Sequence, residues 1–144
     1  MAEPETLCKV SGWGFTSEDE PFASNDLMYA ELPIIKPTRC RKLLADVTNL
    51  PLGMFCAGYE EGLRDSCRGD SGGGMICGDT LVGVVSTGVG CARSTLPGLY
   101  SDVPYYLNWV KYNMKNYNLT DYNYKELPSI GTKNSAGNTS SNVY

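Results

Sequence analysis

Six cysteines constrain the fold of this chain more than any other feature of its sequence. Their number is even, no two of them form a CxxC pair, and the chain has no histidine that could help them to bind zinc. Disulfide bonds are therefore the better interpretation, and they indicate an oxidising, secretory environment. The sequence alone leaves the pairing open. The cysteines are Cys8, Cys40, Cys56, Cys67, Cys77 and Cys91.

Length and charge restrict the classes of protein and partner. A chain of 144 residues suits one domain or one half of a protein built from two barrels. Its net charge of -4 gives no basic footprint for DNA or RNA. No stretch approaches the roughly 18 apolar residues of a membrane span, so we expect no membrane partner. Residues 1–7 lack the pattern of a signal peptide, and we expect them to be a truncated lead whose upstream part is missing.

Short segments rich in Val, Ile, Leu and Tyr alternate with Gly and Pro, which is typical of strands in a small antiparallel barrel. The predicted strands are Cys8 to Trp13, Leu27 to Ile35, Met54 to Ala57, Gly74 to Cys77, Thr80 to Ser86 and Gly98 to Asp102.

Two segments are predicted to be helical. Thr38 could cap a short helix that runs to Asp46. Pro104 suits the first turn of a second helix, which runs to Asn116 with apolar residues three and four positions apart. We expect that apolar face to pack on the barrel. Residues 118–144 are rich in Asn, Ser and Thr and are predicted to be disordered.

The run DSCRGDSGGG, from Asp65 to Gly74, carries the clearest chemical signal. It matches the G-x-S-x-G elbow of α/β-hydrolases, but glycines and a strand follow Ser71 where that elbow requires a helix. It also contains Arg68-Gly69-Asp70, a short integrin-type signal that a neighbouring disulfide would constrain rather than present. Neither interpretation uses the whole run.

The whole run resembles the nucleophile segment of trypsin-like (chymotrypsin-fold) serine endopeptidases, and the chain looks like their C-terminal half. The resemblance implies an all-β fold over residues 8–117, a six-stranded antiparallel Greek-key barrel with a C-terminal α-helix. The segments that carry it are Cys8 to Gly14, Met54 to Gly58, the run itself, Val85 to Gly88, Pro97 to Tyr100 and the helix containing Trp109.

The resemblance implies catalytic roles in this run. Ser71 matches the nucleophile, and the backbone N–H groups of Gly69 and Ser71 match the oxyanion hole. Asp70 matches the residue that forms an ion pair with the N-terminal ammonium released when the zymogen is cut.

The resemblance also implies a binding pocket. Asp65 matches the carboxylate at its base, which selects Arg or Lys before the cut. Gly88 and Gly98 match the pocket walls, and the segment from Ser86 to Gly88 matches the edge that pairs with the substrate backbone. The implied disulfides are Cys8 with Cys77, Cys40 with Cys56, and Cys67 with Cys91.

The sequence departs from the family pattern in three ways. Thr87 stands where tryptophan is usual, which leaves preferences beyond the first subsite open, and Gly74 replaces the proline of GDSGGP. The catalytic histidine and aspartate belong to the N-terminal barrel, and no residue here matches them. Losing the base of a serine-protease triad costs about a million-fold in turnover, so we expect the chain alone to be inactive.

The leading hypothesis is therefore a secreted, extracellular serine endopeptidase, represented by an incomplete chain that uses no metal or cofactor. Its expected partners are substrates with Arg or Lys before the cut, the missing N-terminal barrel and protein protease inhibitors. The alternative is a non-catalytic protease homologue that acts as a secreted binding or regulatory module. A third possibility is a cytosolic chain with reduced thiols and little stable structure.

Overall fold

The computed structural model describes residues 3–116. The strands are β1 (Leu7–Gly12), β2 (Met28–Pro33), β3 (Met54–Ala57), β4 (Gly74–Cys77), β5 (Thr80–Thr87) and β6 (Gly98–Asp102). The helices are α1 (Pro37–Leu44) and α2 (Val103–Asn116). The strands and helices thus follow the predicted order. The predicted disordered tail, residues 118–144, lies outside the described residues and stays a prediction.

The six strands form one antiparallel sheet in the order β2-β1-β4-β5-β6-β3. The connection through α1 carries the chain from β2 at one edge to β3 at the other. An antiparallel bridge between Ile34 and Ala57 joins these edges, and the Gly58 amide donates to the Pro33 carbonyl at 3.0 Å. The sheet therefore curls into a barrel, which confirms the predicted all-β fold.

Two groups of buried side chains form the core. The first fills the barrel, where Phe55 and Tyr100 stack with their ring centroids 5.6 Å apart. The second lies where α1 covers β3, and the Cys40–Cys56 disulfide joins these two elements inside it. Strand β1 shows how the sequence builds the barrel, because Cys8 and Val10 alternate with exposed residues along it.

Both helices differ in detail from the prediction. Helix α1 begins at Pro37 with Lys36 at the cap and no side-chain capping bond, so the prediction that Thr38 caps it is wrong. Proline suits a first helical position because its fixed φ matches the helix and its missing N–H costs nothing there. Helix α2 buries none of its side chains, and Trp109 is 65% exposed. The expected burial of its apolar face on the barrel is therefore wrong, although α2 contacts β5, and Tyr105 and Tyr106 lie against Gly53.

Neither helix within residues 3–116 has the length and apolar character needed to cross a membrane. In the same part of the chain, no three His, Cys, Asp or Glu side chains are grouped so that they could hold a metal ion.

Candidate functional site

Ser71 lies in a tight loop that leads into β4. The Asp70 amide donates to the Cys67 carbonyl at 3.1 Å, and the Gly73 amide donates to the Asp70 carbonyl at 2.9 Å. The Gly72 amide donates to the Val85 carbonyl of β5 at 2.9 Å. The loop is thus fixed on both sides of Ser71, whose side chain is exposed.

The conformation of this loop depends on glycine. Gly69 has φ +97° and Gly72 has φ +86°, a region that L-residues with a Cβ rarely adopt. A Cβ on Gly69 would also lie 3.0 Å from the Gly14 backbone. Within residues 3–116 the amides of Gly69 and Ser71, the predicted oxyanion-hole donors, donate to no protein acceptor.

Asp65 and Ser71 line the same cavity, which has a volume of about 220 Å³. Asp65 accepts two hydrogen bonds, one on Oδ1 from the Ser66 amide at 2.8 Å and one on Oδ2 from the Ala92 amide at 3.0 Å. Burial raises the pKa of Asp65 to about 6, and these two bonds oppose that rise. The carboxylate is therefore fixed in position and poorly solvated, as suits a site that binds a cation.

The floor of this cavity is braced by Tyr100. Its hydroxyl lies 2.9 Å from Ser66 Oγ, one residue from Asp65. The ring is fully buried in the barrel core, and burial raises the pKa of the hydroxyl well above its usual range. Tyr100 therefore ties the segment that carries Asp65 to the core.

The predicted wall residues Gly88 and Gly98 also line the cavity, and so does Ser86 of the edge predicted to pair with the substrate backbone. A Cβ on Gly98 would lie 2.7 Å from Asp65 Oδ1, so only glycine leaves that carboxylate accessible here. A Cβ on Gly88 would meet the Gly90 carbonyl oxygen at 3.4 Å and Gly98 Cα at 3.9 Å, and it would not approach Asp65. Thr87 ends β5 with its side chain exposed, at the position where the resemblance implies an aromatic surface.

Asp70 faces away from this cavity and towards β1. Its Oδ1 accepts from the Gly14 amide at 2.8 Å, and its Oδ2 accepts from the Cys67 amide at 2.9 Å. A Cβ on Gly12 would lie 2.0 Å from Oδ1, so the carboxylate packs closely on this part of the chain. Asp70, Gly12 and Gly14 line a second cavity of about 450 Å³.

Three disulfides fix these elements, and they are the pairs that the resemblance implies: Cys8–Cys77, Cys40–Cys56 and Cys67–Cys91. The last one links the Ser71 loop to the segment that follows Gly90. It joins the proposed nucleophile loop to the wall of the Asp65 cavity, so the two cannot move apart freely.

Glu18 is a site residue that the sequence analysis missed. Its Oε1 accepts from the Cys91 amide at 2.5 Å, and its Oε2 accepts from Arg93 Nε at 2.9 Å. The Arg93 guanidinium is the main cause that lowers the pKa of Glu18. No sequence signal marks this residue, because it lies in an acidic loop 73 positions before its partner amide.

Comparison with known proteins places these features in a family. The trypsin family model matches residues 1–110. Trypsin-1 of Gadus morhua is 44% identical over 117 residues, which cover 81% of this chain and 47% of that protein. Coagulation factor XII of Sus scrofa is 42% identical over 118 residues, which cover 76% of this chain and 19% of that protein. Trypsin eta of Drosophila melanogaster is 39% identical over 108 residues, which cover 75% of this chain and 40% of that protein. The chain thus spans less than half the length of these relatives.

Proposed function

This chain belongs to the trypsin family of serine proteases, and we propose that it supplies the nucleophile and the specificity pocket of an endopeptidase that cleaves after Arg or Lys. The observation that carries the proposal is that Asp65 and Ser71 line one cavity. A substrate cation held at one end of it would bring the following carbonyl carbon towards the hydroxyl at the other.

The preference for Arg or Lys rests on Asp65. A carboxylate at the base of a narrow cavity favours a long cationic side chain, because the charge-assisted hydrogen bond forms where water is largely excluded. Gly98 and Gly88 leave room for that side chain. Ser86 at the end of β5 would present its backbone to the substrate chain as an added strand.

The reaction would begin at Ser71. Its Oγ attacks the carbonyl carbon of the scissile bond, a base accepts the hydroxyl proton, and the carbonyl oxygen becomes an oxyanion. The amides of Gly69 and Ser71 would stabilise that charge. The same proton then goes to the leaving amine, the acyl-enzyme forms, and water later releases the acid product.

The base for Ser71 would come from outside this chain. The 144 residues contain no histidine, and no carboxylate or lysine side chain of residues 3–116 has a hydrogen bond to Ser71. We propose that a partner barrel supplies the histidine and aspartate and that the chain alone is inactive. The large apolar side chains that α2 exposes offer a surface for such a partner: Tyr105, Tyr106, Leu107, Trp109, Tyr112 and Met114.

Asp70 and the disulfides support proposals about regulation and location. Asp70 borders a cavity wide enough for an N-terminal ammonium, which supports an activation step in which a cut zymogen inserts its new N-terminus there.

Three disulfides support a secreted, extracellular protein. Protein inhibitors that present Arg or Lys to the same pocket are proposed as further partners.

The alternative proposal is a secreted binding or regulatory module. A pocket that retains Asp65 could bind a cationic segment without cleaving it, and the triad histidine that would distinguish the two proposals does not lie within these 144 residues. The two proposals share the pocket and differ in the reactivity of Ser71.

The pocket is tested by titrating the oxidised, folded chain with p-aminobenzamidine, an aromatic amidinium, and following its fluorescence. Asp65→Asn should weaken binding on the order of 100-fold, because the amidinium then loses a partly buried charge partner. Asp79→Asn in the exposed β4–β5 turn is the matched control and should bind like the unmodified chain. Equal binding by all three proteins would refute the proposed preference for Arg or Lys.

The enzyme and the binding module are separated by labelling the natural protein, isolated from its source, with a fluorophosphonate. Labelling at Ser71 together with cleavage after Arg or Lys would support the endopeptidase. Amidinium binding without labelling would contradict it and favour the binding module.

A further inference from the structure

We propose that Glu18 is a positioning residue that determines specificity by holding the wall segment, residues 90–93, against Asp65. The inference rests on the proposed function, because it concerns the same pocket. Glu18 does not line the cavity that Asp65 shares with Ser71, but it does line the second cavity, of which Asp65 is also part. Its contribution is to fix the backbone that lines the cavity shared with Ser71.

Three consecutive residues of the wall segment are held from two sides. Glu18 accepts from the Cys91 amide at 2.5 Å and from Arg93 Nε at 2.9 Å, whereas Asp65 accepts from the Ala92 amide at 3.0 Å. The amides of Cys91 and Ala92 thus donate to two different carboxylates. One carboxylate belongs to the cavity and the other to the acidic loop between β1 and β2.

The backbone of the wall segment needs this support. Ala92 has φ +53°, a left-handed conformation that is unfavourable for a residue with a Cβ. Gly90 has φ +75°, and a Cβ there would lie 2.0 Å from Glu18 Oε1. The segment therefore packs directly on the Glu18 carboxylate, and Ala92 keeps its strained conformation between two acceptors.

Displacing the wall segment would change the orientation of the Asp65 carboxylate at the base of the cavity. The Ala92 amide is one of two donors that fix the Asp65 carboxylate, and Cys91 is joined by a disulfide to Cys67 in the Ser71 loop. Without Glu18, the hydrogen bond from the Ala92 amide to Asp65 Oδ2 would be formed for a smaller fraction of the time. The carboxylate would then be less well oriented for a planar cation.

The effect should be moderate, because Glu18 is 29% exposed and Arg93 is 54% exposed. Solvent weakens such an ion pair, and salt screens it. The bond from the Cys91 amide to a charged acceptor contributes the rest. We expect Glu18→Gln to weaken p-aminobenzamidine binding about threefold and Glu18→Ala about tenfold. Glutamine can still accept from the Cys91 amide through its carbonyl, but it has no charge for Arg93.

The test compares the unmodified oxidised chain with Glu18→Gln and Glu18→Ala by amidinium titration and amide hydrogen exchange. Exchange at Cys91 and Ala92 should accelerate in the same order as binding weakens, while exchange at Val10 in β1 stays unchanged. The unchanged Val10 amide separates a local role from a general loss of stability.

Glu20→Gln is the matched control. It removes the same charge from the same loop, two positions further along, and its exposed side chain has no hydrogen bond or ion pair with the rest of residues 3–116. It should leave both amidinium binding and exchange unchanged. A loss of affinity in Glu20→Gln equal to that in Glu18→Gln would overturn the proposal in favour of a diffuse charge effect.

Two further results would overturn the proposal, and they have different meanings. If the unmodified chain binds the amidinium and Glu18→Ala binds it equally well, the role of Glu18 fails while the proposed pocket stands. If the unmodified chain binds no amidinium although Glu18→Ala accelerates exchange at Cys91, the proposed pocket fails, and with it any role of Glu18 in specificity.

Discussion

The Asp65 cavity and the Ser71 loop are adjacent, but they differ in how far this chain completes them. Asp65 has two backbone donors, a glycine wall and a braced floor. Ser71 has a fixed loop and two available amides, but no side chain of residues 3–116 takes its proton. The comparison teaches that the groups that bind a cation and the groups that activate the serine can lie in different segments.

The physical demands of the two regions explain this difference. A cation pocket needs a shaped backbone and one carboxylate, and a single barrel with its disulfides can supply both. Nucleophilic attack by a serine also needs a base and an orienting carboxylate in a line with the hydroxyl. The described residues meet the first requirement, and the proposed function assigns the second to residues outside these 144.

Removing the Cys67–Cys91 disulfide should have the largest effect, because this bond joins the two regions. Its loop spans 24 residues, for which loop-closure entropy predicts a loss of about 3 to 4 kcal/mol in unfolding free energy. The double Ala variant should also bind p-aminobenzamidine more weakly, since the wall segment is released. Urea unfolding and amidinium titration measure the two effects.

The Cys40–Cys56 disulfide is the control for that variant. Its loop of 16 residues predicts a similar loss of stability, about 3 kcal/mol, but it lies in the core beneath α1. Its double Ala variant should bind the amidinium normally wherever it is folded. If both variants lose binding equally, the Cys67–Cys91 bond has no specific role in the pocket.

The pH dependence should separate binding from stability. Amidinium binding needs the Asp65 carboxylate, whose pKa is raised from 3.8 to about 6, so affinity should fall about tenfold per pH unit below that value. Because the pKa is raised by burial, the contribution of Asp65 to folding has the opposite sign. It is complete below about pH 4 and is lost as the pH rises through 6. The two trends should therefore run in opposite directions.

Titrations of p-aminobenzamidine between pH 4.5 and about 8 would measure the first trend, and urea unfolding without ligand the second. Asp65→Asn is the control in both experiments, because it removes the titrating group. An amidinium affinity that does not change with pH in the unmodified chain would contradict the assignment of Asp65 as the cation partner.

Substituting the two wall glycines should give a smaller effect. Gly98→Ala places a Cβ 2.7 Å from Asp65 Oδ1 and should weaken amidinium binding about tenfold. Gly88→Ala places its Cβ 3.4 Å from the Gly90 carbonyl oxygen and 3.9 Å from Gly98 Cα, away from the carboxylate, and should have little effect. Amidinium titration measures both variants, and Gly88→Ala is the control for Gly98→Ala. Equal losses would mean that general narrowing of the cavity, rather than contact with the carboxylate, governs binding.

The sequence predicted most of the barrel because its strands are short and separated by Gly and Pro. The sequence predicted the two helices less well, because tertiary contacts determine where their faces pack. The apolar spacing of α2 indicated a buried face, but periodicity states only that a face exists and not which partner covers it. Thr38 was a plausible cap, yet Pro37 at the first helical position determined where α1 begins.

The candidate site was predicted unevenly for a similar reason. Asp65, Ser71 and the glycines stand in short recognisable segments, and the resemblance carried their roles and the disulfide pairs. Glu18 stands in a loop without periodicity, and its contacts join positions 73 and 75 residues apart. Only the folded backbone brings that carboxylate to the wall segment.

The most direct test of the central claim measures cation binding at Asp65 and the reactivity of Ser71 in the same preparation. The oxidised 144-residue chain would be titrated with p-aminobenzamidine and incubated with a fluorophosphonate, and Ser71 labelling would be followed by peptide mass spectrometry. The account predicts saturable amidinium binding that depends on Asp65, with no labelling of Ser71. Rapid labelling of Ser71 in the chain alone, or a folded chain that binds no amidinium, would contradict it.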